Sequence, residues 1–462
     1  MKAYKVWTNT ICVFTMGCIG SKPRQTAVGP QKTDVSNVKS VENVKVPVVE
    51  SPQEGIHEFA DIDQHVQKAP SALKESVESL VNYVMTKTKD QRLLVRGFFV
   101  WIAENIRYDI DGLLGRQPRA PNDVTSVMKN GLSVCEGYAS VMEALCRSAG
   151  IEVKKLSGFS KGFGYDADKP FTESSQTSHA WNAVRLDGKW FLLDCTWGAG
   201  HTDGHIYVKE FKEFYFLTDP AQFVNDHFPY MDNNLAESMK WQLLKKPVTL
   251  EEFNKNAQLK SHAFALGVVP ESHKSGTITM TNEIQLKFRS KNKRLHYKAT
   301  LWHLDGHTWR EKADATLARS IGDLGVIRVH PPLTGKYRLD IFAKEGSGAG
   351  TMAQVAVYVL HCNSVRDGDF QFPIVYASIY TDQCEIVQPQ NAKLPANSEI
   401  NFEIKAPDLD GISVNREPLQ KNGGLFSGIV RTGDKGCAYK VNAVFKTGNT
   451  TRWEAMFQYH TE

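Results

Sequence analysis

The stretch Gly131-Leu132-Ser133-Val134-Cys135-Glu136-Gly137-Tyr138-Ala139 decides how this chain is read. Tyr138, Val141, Met142, Leu145, Cys146 and Ala149 follow at helical spacing, and Gly150 stands where a helix closes. Ser133 and Glu136 match the Ser-x-x-Glu capping box, which predicts a helix over 133–150 with Cys135 in its first turn. There the sulfur meets unpaired backbone N–H groups and the positive end of the helix dipole, a setting that favours thiolate. A cysteine taken alone is most often a small apolar filler. Cys146, mid-helix on the apolar stripe, is read as one. Cys135 needs partners before it means chemistry.

The partners come from a hairpin. Asp187-Gly188 separates two apolar runs, 179–186 and 189–196, and Asp-Gly in that place signals a two-residue turn. Counting back from the turn sets Leu186 opposite Lys189, Trp181 opposite Asp194 and His179 opposite Thr196. Side chains on one face recur every two residues. His179 and Asp194 therefore share a face as diagonal neighbours, roughly 7–8 Å apart at the backbone. An aspartate bonded to one ring nitrogen fixes a histidine's tautomer and supports its imidazolium. Singly, His179 reads as a hydrogen-bonded strand histidine and Asp194 as a strand-end residue. With Cys135 they form a thiol–imidazole–carboxylate triad if the hairpin packs beside the helix start. His179, at a strand start, is expected to contribute little packing area. Cys195 should face away and be structural. Trp101, Trp181, Trp190 and Trp197 default to core packing, with Tyr108 and Trp101 as alternative cleft residues. The Cys135 N–H is the natural oxyanion donor, its partner donor left open. His201, Asp203 and His205 cluster in a glycine-bearing loop without a fourth ligand, so they read as loop rather than metal site. No cofactor signature is read.

Working outward, Ser71 is placed to cap a helix carrying Leu73, Val77, Leu80, Val81 and Val84. Asp90 is placed to cap one carrying Leu94, Phe98, Trp101, Ile102 and Ile106. Residues 116–122 and the polar stretch 161–178 are expected surface loops. Beyond Pro247 the pattern turns all-β. Strand-like runs fall at 283–288, 296–303, 325–330, 336–343 and 354–362, then at 374–380, 399–404, 424–430, 439–445 and 453–459. Glu283-Ile284-Gln285-Leu286-Lys287-Phe288 is echoed by Glu399-Ile400-Asn401-Phe402-Glu403-Ile404, which suggests two copies of a unit the size of a small sandwich. The expected class is α+β: an amino-terminal tail 1–55, a catalytic domain 56–255, and β-sandwich modules 260–365 and 366–462.

Residues 22–55, rich in Lys, Val, Ser, Gln and Pro without a period, read as a disordered linker. The first fifteen residues are weakly apolar, but Thr8-Asn9-Thr10 interrupts a secretory core. Met16-Gly17-Cys18-Ile19-Gly20-Ser21 fits the myristoylation pattern with a neighbouring palmitoylation cysteine. Translation from Met16 would thus give peripheral membrane attachment through Gly17 and Cys18, and translation from Met1 would not. The chain has 462 residues and a formal net charge of +4, too small for a dedicated nucleic-acid binder, and no basic stripe is present. No apolar run approaches the ~18 residues of a membrane span. The eight cysteines lack any CxxC pair, which argues against a zinc site or a disulfide framework and fits a reducing compartment.

Taken together, Gly131 to Ala139, His179-Ala180-Trp181-Asn182 and Asp194-Cys195-Thr196-Trp197-Gly198 resemble the transglutaminase-like papain-fold superfamily. Trp101-Ile102-Ala103-Glu104-Asn105-Ile106-Arg107-Tyr108-Asp109 resembles the entry helix of its kyphoscoliosis peptidase branch. Ser160-Lys161-Gly162-Phe163-Gly164-Tyr165, Glu213-Phe214-Tyr215-Phe216-Leu217-Thr218-Asp219-Pro220, Asp226-His227-Phe228-Pro229 and Trp241-Gln242-Leu243-Leu244 also resemble that branch. The resemblance implies a papain-like catalytic fold followed by two β-sandwiches, with the triad on Cys135, His179 and Asp194. It implies a cysteine peptidase working through a thioester. The alternatives are a protein-glutamine gamma-glutamyltransferase and a cytoskeletal scaffold with an idle triad. It also implies a cytoplasmic, cytoskeleton-associated protein with filamin- or septin-like protein substrates.

Overall fold

The computed structural model describes residues 58–462 apart from 292, 347–350, 366–368, 377–383 and 448–449. The readings at Met16, Gly17 and Cys18, and the linker 22–55, lie outside the described residues. The chain enters through α1 (Ala60–Gln67), α2 (Val77–Lys87) and α3 (Gln91–Asn105). Asp90 opens α3 as expected, its carboxylate accepting from Leu93 N at 2.9 Å. The helix expected from Ser71 is broken. Ser71–Glu75 is a separate tight turn, and extended backbone at Ser76 (φ −152°, ψ 136°) makes Ser76 the cap of α2. Leu94 to Ala103 of α3 is buried throughout, Arg96 included. Its guanidinium meets Asp63 of α1 at 2.8 and 2.9 Å and Glu213 at 2.5 and 2.8 Å, with the Phe59, Phe211 and Phe216 rings about it. Pairing of this kind offsets the cost of burying the cation.

From α3 the chain runs through β1 (Arg107–Tyr108), α4 (Ile110–Leu113), α5 (Val124–Asn130) and β2 (Leu132–Ser133) into α6 (Cys135–Ser148). β1 and β2 pair in parallel, Tyr108 against Ser133. The expected capping box does not form. Ser133 is committed to this ladder, its carbonyl accepting from Asp109 N at 2.9 Å and its hydroxyl bonded to Asn122 Oδ1 at 2.8 Å. Val134 is the N-cap instead, and Glu136 pairs with Lys155. The displacement puts Cys135 at the first helical position. Gly137 is required there, since a Cβ would fall 2.0 Å from Ser133 Oγ.

α6 lies on a four-stranded antiparallel sheet ordered β5–β4–β3–β8. Its strands are β3 (Glu152–Ser160), β4 (His179–Leu186), β5 (Lys189–Leu193) and β8 (His227–Pro229). The hairpin turns at Asp187-Gly188 with Leu186 against Lys189, as the sequence predicts. Its second arm stops at Leu193, earlier than expected. Asp194 leaves the strand and caps α7 (Cys195–Ala199), so Trp181 does not pair with Asp194 nor His179 with Thr196. His179 pairs with Gly158 of β3, the central strand, which the sequence reading does not contain. After α7 come the pair β6 (Gly200–Thr202) and β7 (Tyr207–Lys209), then α8 (Pro220–Phe223) and β8.

The β region forms two pairs of sheets. The first stacks Val268–Pro270, Ile284–Ser290, Leu324–Val329 and Thr316–Ile321 against a sheet centred on Gly335–Glu345 and Ala353–Ser364. Leu286, Phe288, Ile327, Leu339 and Tyr358 fill the space between. The second pair closes over Phe402, Phe426, Val441 and Tyr459. The expected strands are present, with further ones that include Thr277–Thr281, Thr308–Lys312, Thr316–Ile321, Glu385–Gln388 and Gly411–Val414. Of 374–380, Ile374–Val375 is strand and 377–380 lie outside the described residues. Gln258–Leu259 pairs with Ala353–Ser364 at the junction with the helical part. The loop after β3 is not wholly a surface loop. Lys161 is 1% exposed and donates to the Asn256 carbonyl at 2.8 Å. Asp166 and Asp168 in the same loop bridge to Lys336 and His361 on the sandwich. No helix among the described residues is long and apolar enough to cross a membrane.

Candidate active site

The hairpin does pack beside the start of α6. Asn182 of β4 donates to the Ala139 carbonyl at 3.0 Å, tying strand to helix. Half-buried Cys135 thereby comes close enough to the His179 ring to act on its protonation. His179 Nε2 lies 2.7 Å from Asp194 Oδ2, which leaves Nδ1 for the sulfur. Burial pushes the His179 ring toward its neutral form. The Asp194 charge and hydrogen bond, with the Cys135 contact, outweigh it and raise the ring to about 10. Asp194 is fully buried. Burial works against its charge, but His179 and a second imidazole hold it well below the usual carboxylate range. Its Oδ1 accepts from Thr196 N at 2.8 Å and Trp197 N at 3.1 Å, so the cap of α7 fixes the carboxylate plane. The Cys135 N–H, in the first turn of α6, has no intrahelical acceptor.

The second imidazole is His227, at the start of β8. Its Nε2 lies 3.0 Å from the same Asp194 Oδ2, and its Nδ1 lies 2.6 Å from Asp226 Oδ1. The sequence reading quotes Asp226-His227 within a family-like motif but assigns it no role. The register explains the meeting. Gly158 pairs with His179 and Ser160 pairs with His227, so both imidazoles stand over one face of β3 two residues apart. Both β3 residues are small. A Cβ on Gly158 would lie 2.0 Å from the Phe228 carbonyl oxygen and 2.7 Å from the Trp181 ring. The two ring centroids are 5.3 Å apart.

Aromatic side chains wall the cluster. Trp197 lies 5.2 Å from the His179 ring and 4.4 Å from the His227 ring, while Trp181 sits in the core. Only 7% exposed and flanked by these rings, His179 contributes real packing, contrary to expectation. Trp101 and Cys195 are buried core residues, and Trp190 packs edge-on to Trp241 at the sheet margin. Tyr108 stands close enough that burial and then the Cys135 and Asp194 charges raise its phenol. In the 201–205 loop the candidate ligands are engaged elsewhere. His201 pairs with Glu210 at 3.1 Å, and Asp203 accepts from the backbone of His205 and Ile206. Among the described residues, His179, Asp194 and His227 bring three ligand atoms within 4.8 Å of one another. Both ring nitrogens already sit at hydrogen-bond distance from one carboxylate oxygen, a geometry that seats protons rather than a cation.

Comparison with known proteins follows the same lines. The family model for the transglutaminase-like superfamily matches residues 78–195, and that for a KY-like, immunoglobulin-like domain matches residues 250–374. Kyphoscoliosis peptidase of Mus musculus is 32% identical over 332 residues, covering 69% of this chain and 46% of that protein. Kyphoscoliosis peptidase of Homo sapiens is 32% identical over 346 residues, covering 73% and 48%. Hillarin of Drosophila melanogaster is 27% identical over 325 residues, covering 62% and 36%. The chain spans about half the length of the first two of these relatives.

Proposed function

We propose that this chain, which belongs to the kyphoscoliosis peptidase branch of the transglutaminase-like superfamily, is a cysteine peptidase acting on cytoskeletal protein. Cys135 is the nucleophile, His179 its base and then the acid for the leaving amine, and Asp194 the residue that orients His179. The observation that carries this reading is the 2.7 Å contact of His179 Nε2 with Asp194 Oδ2, with a cysteine at a helix start near enough to act on the same ring. Attack by the sulfur on a carbonyl gives a tetrahedral oxyanion for which the Cys135 N–H is a donor. Collapse with proton transfer from His179 expels the amine and leaves a thioester, which water, deprotonated by His179, then resolves. If a lysine amine replaces water, the same first half-reaction ends in a glutamine–lysine cross-link. The kyphoscoliosis peptidase relatives are the ground for a peptidase. Filamin- or septin-like substrates, cytoplasmic location and attachment through Gly17 and Cys18 belong to the same proposal.

The test incubates the full chain, and its Cys135→Ala variant, with purified filamin or septin, with and without a labelled primary amine. Fragments that need Cys135 are the expected result. Amine incorporation without fragments would make the enzyme a transferase. Neither product, with full cellular function retained by Cys135→Ala, would leave a scaffold.

A further inference from the structure

The Cys135–His179–Asp194 reading leaves a buried ionic pair unused. His227 is fully buried, and each of its ring nitrogens faces a carboxylate, Asp194 on one side and Asp226 on the other. We propose that His227, clamped between Asp226 and Asp194, is a positioning residue that holds Asp194 Oδ2 on His179 Nε2 and so sets the tautomer with which His179 meets Cys135. The proposal rests on the triad reading above.

Geometry carries it. Asp194 Oδ1 is taken by the two amides of α7, so only Oδ2 faces the rings, and it accepts from both. With both carboxylates ionised, each His227 nitrogen must bear a proton, which makes the ring a cation between two anions. Burial opposes that charge, but Asp226 and Asp194 raise the ring above its ordinary range. The neighbouring surfaces are apolar: Phe223 stacks at 4.1 Å, Trp197 lies at 4.4 Å and Trp181 packs edge-on at 5.0 Å. A phenylalanine would fill the slot. A buried ionic array is often no more stabilising than an apolar replacement of the same volume. Its placement against the orienting carboxylate therefore points to positioning rather than to stability.

The charged and titratable groups around His227 come from every side. Asp194 precedes α7, Asp226 precedes β8, and His179 stands on β4. Tyr215 reaches Asp226 Oδ2 at 3.5 Å. The Asp226 charge acts on Lys161 and Lys260, and Cys135 and Tyr108 are close to His179 and Asp194.

The test uses the full chain with iodoacetamide as probe and follows Cys135 by peptide mass. Variants are His227→Phe, His227→Gln (a donor toward Asp194 without the charge) and Asp226→Asn. In wild type, Cys135 labelling at pH 6 should be strong and should need His179. In His227→Phe it should fall about tenfold or more at pH 6 while staying within about twofold at pH 9.5, because a free thiol reacts only near ~8.5. His227→Gln should recover part of the loss, and Asp226→Asn should move the same way less far. Histidine-ring nitrogen spectra of the wild type and His227→Gln should show a weakened His179 Nε2–H hydrogen bond to Asp194 in the variant. Melting curves report folding, and if His227→Phe does not fold, His227→Gln and Asp226→Asn decide. Wild-type labelling at pH 6 that ignores His179→Ala overturns the triad reading itself. Wild-type labelling that needs His179 but is unchanged in the folded His227 variants overturns the positioning role alone. Stoichiometric zinc binding lost in His227→Gln would replace positioning with metal ligation and overturn it too.

Discussion

Replacing Asp194 by Asn changes one atom and should disable the site while leaving its shape. Asp194 accepts four hydrogen bonds, at 2.8 and 3.1 Å on Oδ1 and at 2.7 and 3.0 Å on Oδ2. The asparagine oxygen can keep the two amides of α7. Its NH2 then faces two ring nitrogens that both donated to Oδ2. Donor meets donor, so His179 must present a bare Nε2 and carry its proton on Nδ1, toward the sulfur. In that tautomer it cannot take the thiol's proton. The equivalent change in a Ser-His-Asp triad costs about 10^4-fold in kcat. The lost carboxylate charge also returns His179 from about 10 toward the ordinary ~6.5. Breaking a buried pair from one side costs about 3–5 kcal/mol of stability, offset in part because the carboxylate no longer has to be desolvated. Two measurements check this: proton NMR titration of the His179 ring, and iodoacetamide labelling of Cys135 at pH 6, with a melting curve to confirm folding. A folded Asp194→Asn protein whose His179 still titrates near 10, or whose labelling rate falls by less than about tenfold, would refute the reasoning.

Three further outcomes are expected. Gly158→Val would drive a side chain into the Phe228 carbonyl and the Trp181 ring, so β8 should separate from β3 and the melting temperature should collapse; an unchanged melting temperature contradicts the register argument. Arg96→Ala strands Asp63 and Glu213, but both keep some water, so urea unfolding should show a loss of roughly 2–4 kcal/mol, and a loss below about 1 would mean the network is ornamental. For pH dependence, the His179 ring is raised, so its stabilisation is complete below ~6.5 and disappears as pH climbs through about 10. Melting temperatures of wild type and His179→Gln should thus differ most below ~6.5 and converge near pH 10, and this difference cancels Lys161 and Lys260, which are lowered to about 8 and act with the opposite sign.

The features legible in the sequence are those written locally. Asp90 announces α3 because an N-cap acts three residues on, and Asp187-Gly188 announces the hairpin because a two-residue turn fixes its own register. The meeting of Cys135, His179 and Asp194 follows once such a hairpin packs on such a helix. β3 was illegible because Val153, Leu156 and Phe159 recur every three residues, and Lys154 and Lys155 hide a strand buried mainly at its far end. The helix after Asp194 is hidden because the strand-like run 189–196 carries straight through its cap. His227 was invisible as a site residue, since its place beside Asp194 depends on β3 lying between two strands distant in sequence. The capping box at Ser133 failed for a tertiary reason: β1 claims its backbone before the helix can.

Lys161 has a consequence for how the molecule comes apart. Its ammonium is enclosed, stacked 4.7 Å above the Phe253 ring and donating to the Asn256 carbonyl, while Gln258 donates to its own carbonyl. Burial and the neighbouring Lys260 lower it to about 8 against the pull of Asp226. The next residues, Gln258–Leu259, are a strand of the sandwich sheet. The ammonium's carbonyl acceptor is thus supplied by the segment that ties the sandwich on. A chain cut at 255 would keep the enclosed charge and lose the acceptor. A fragment bearing the cysteine should therefore be more stable when it ends beyond Asn256 than when it ends at 255, a difference that melting curves of the two fragments read.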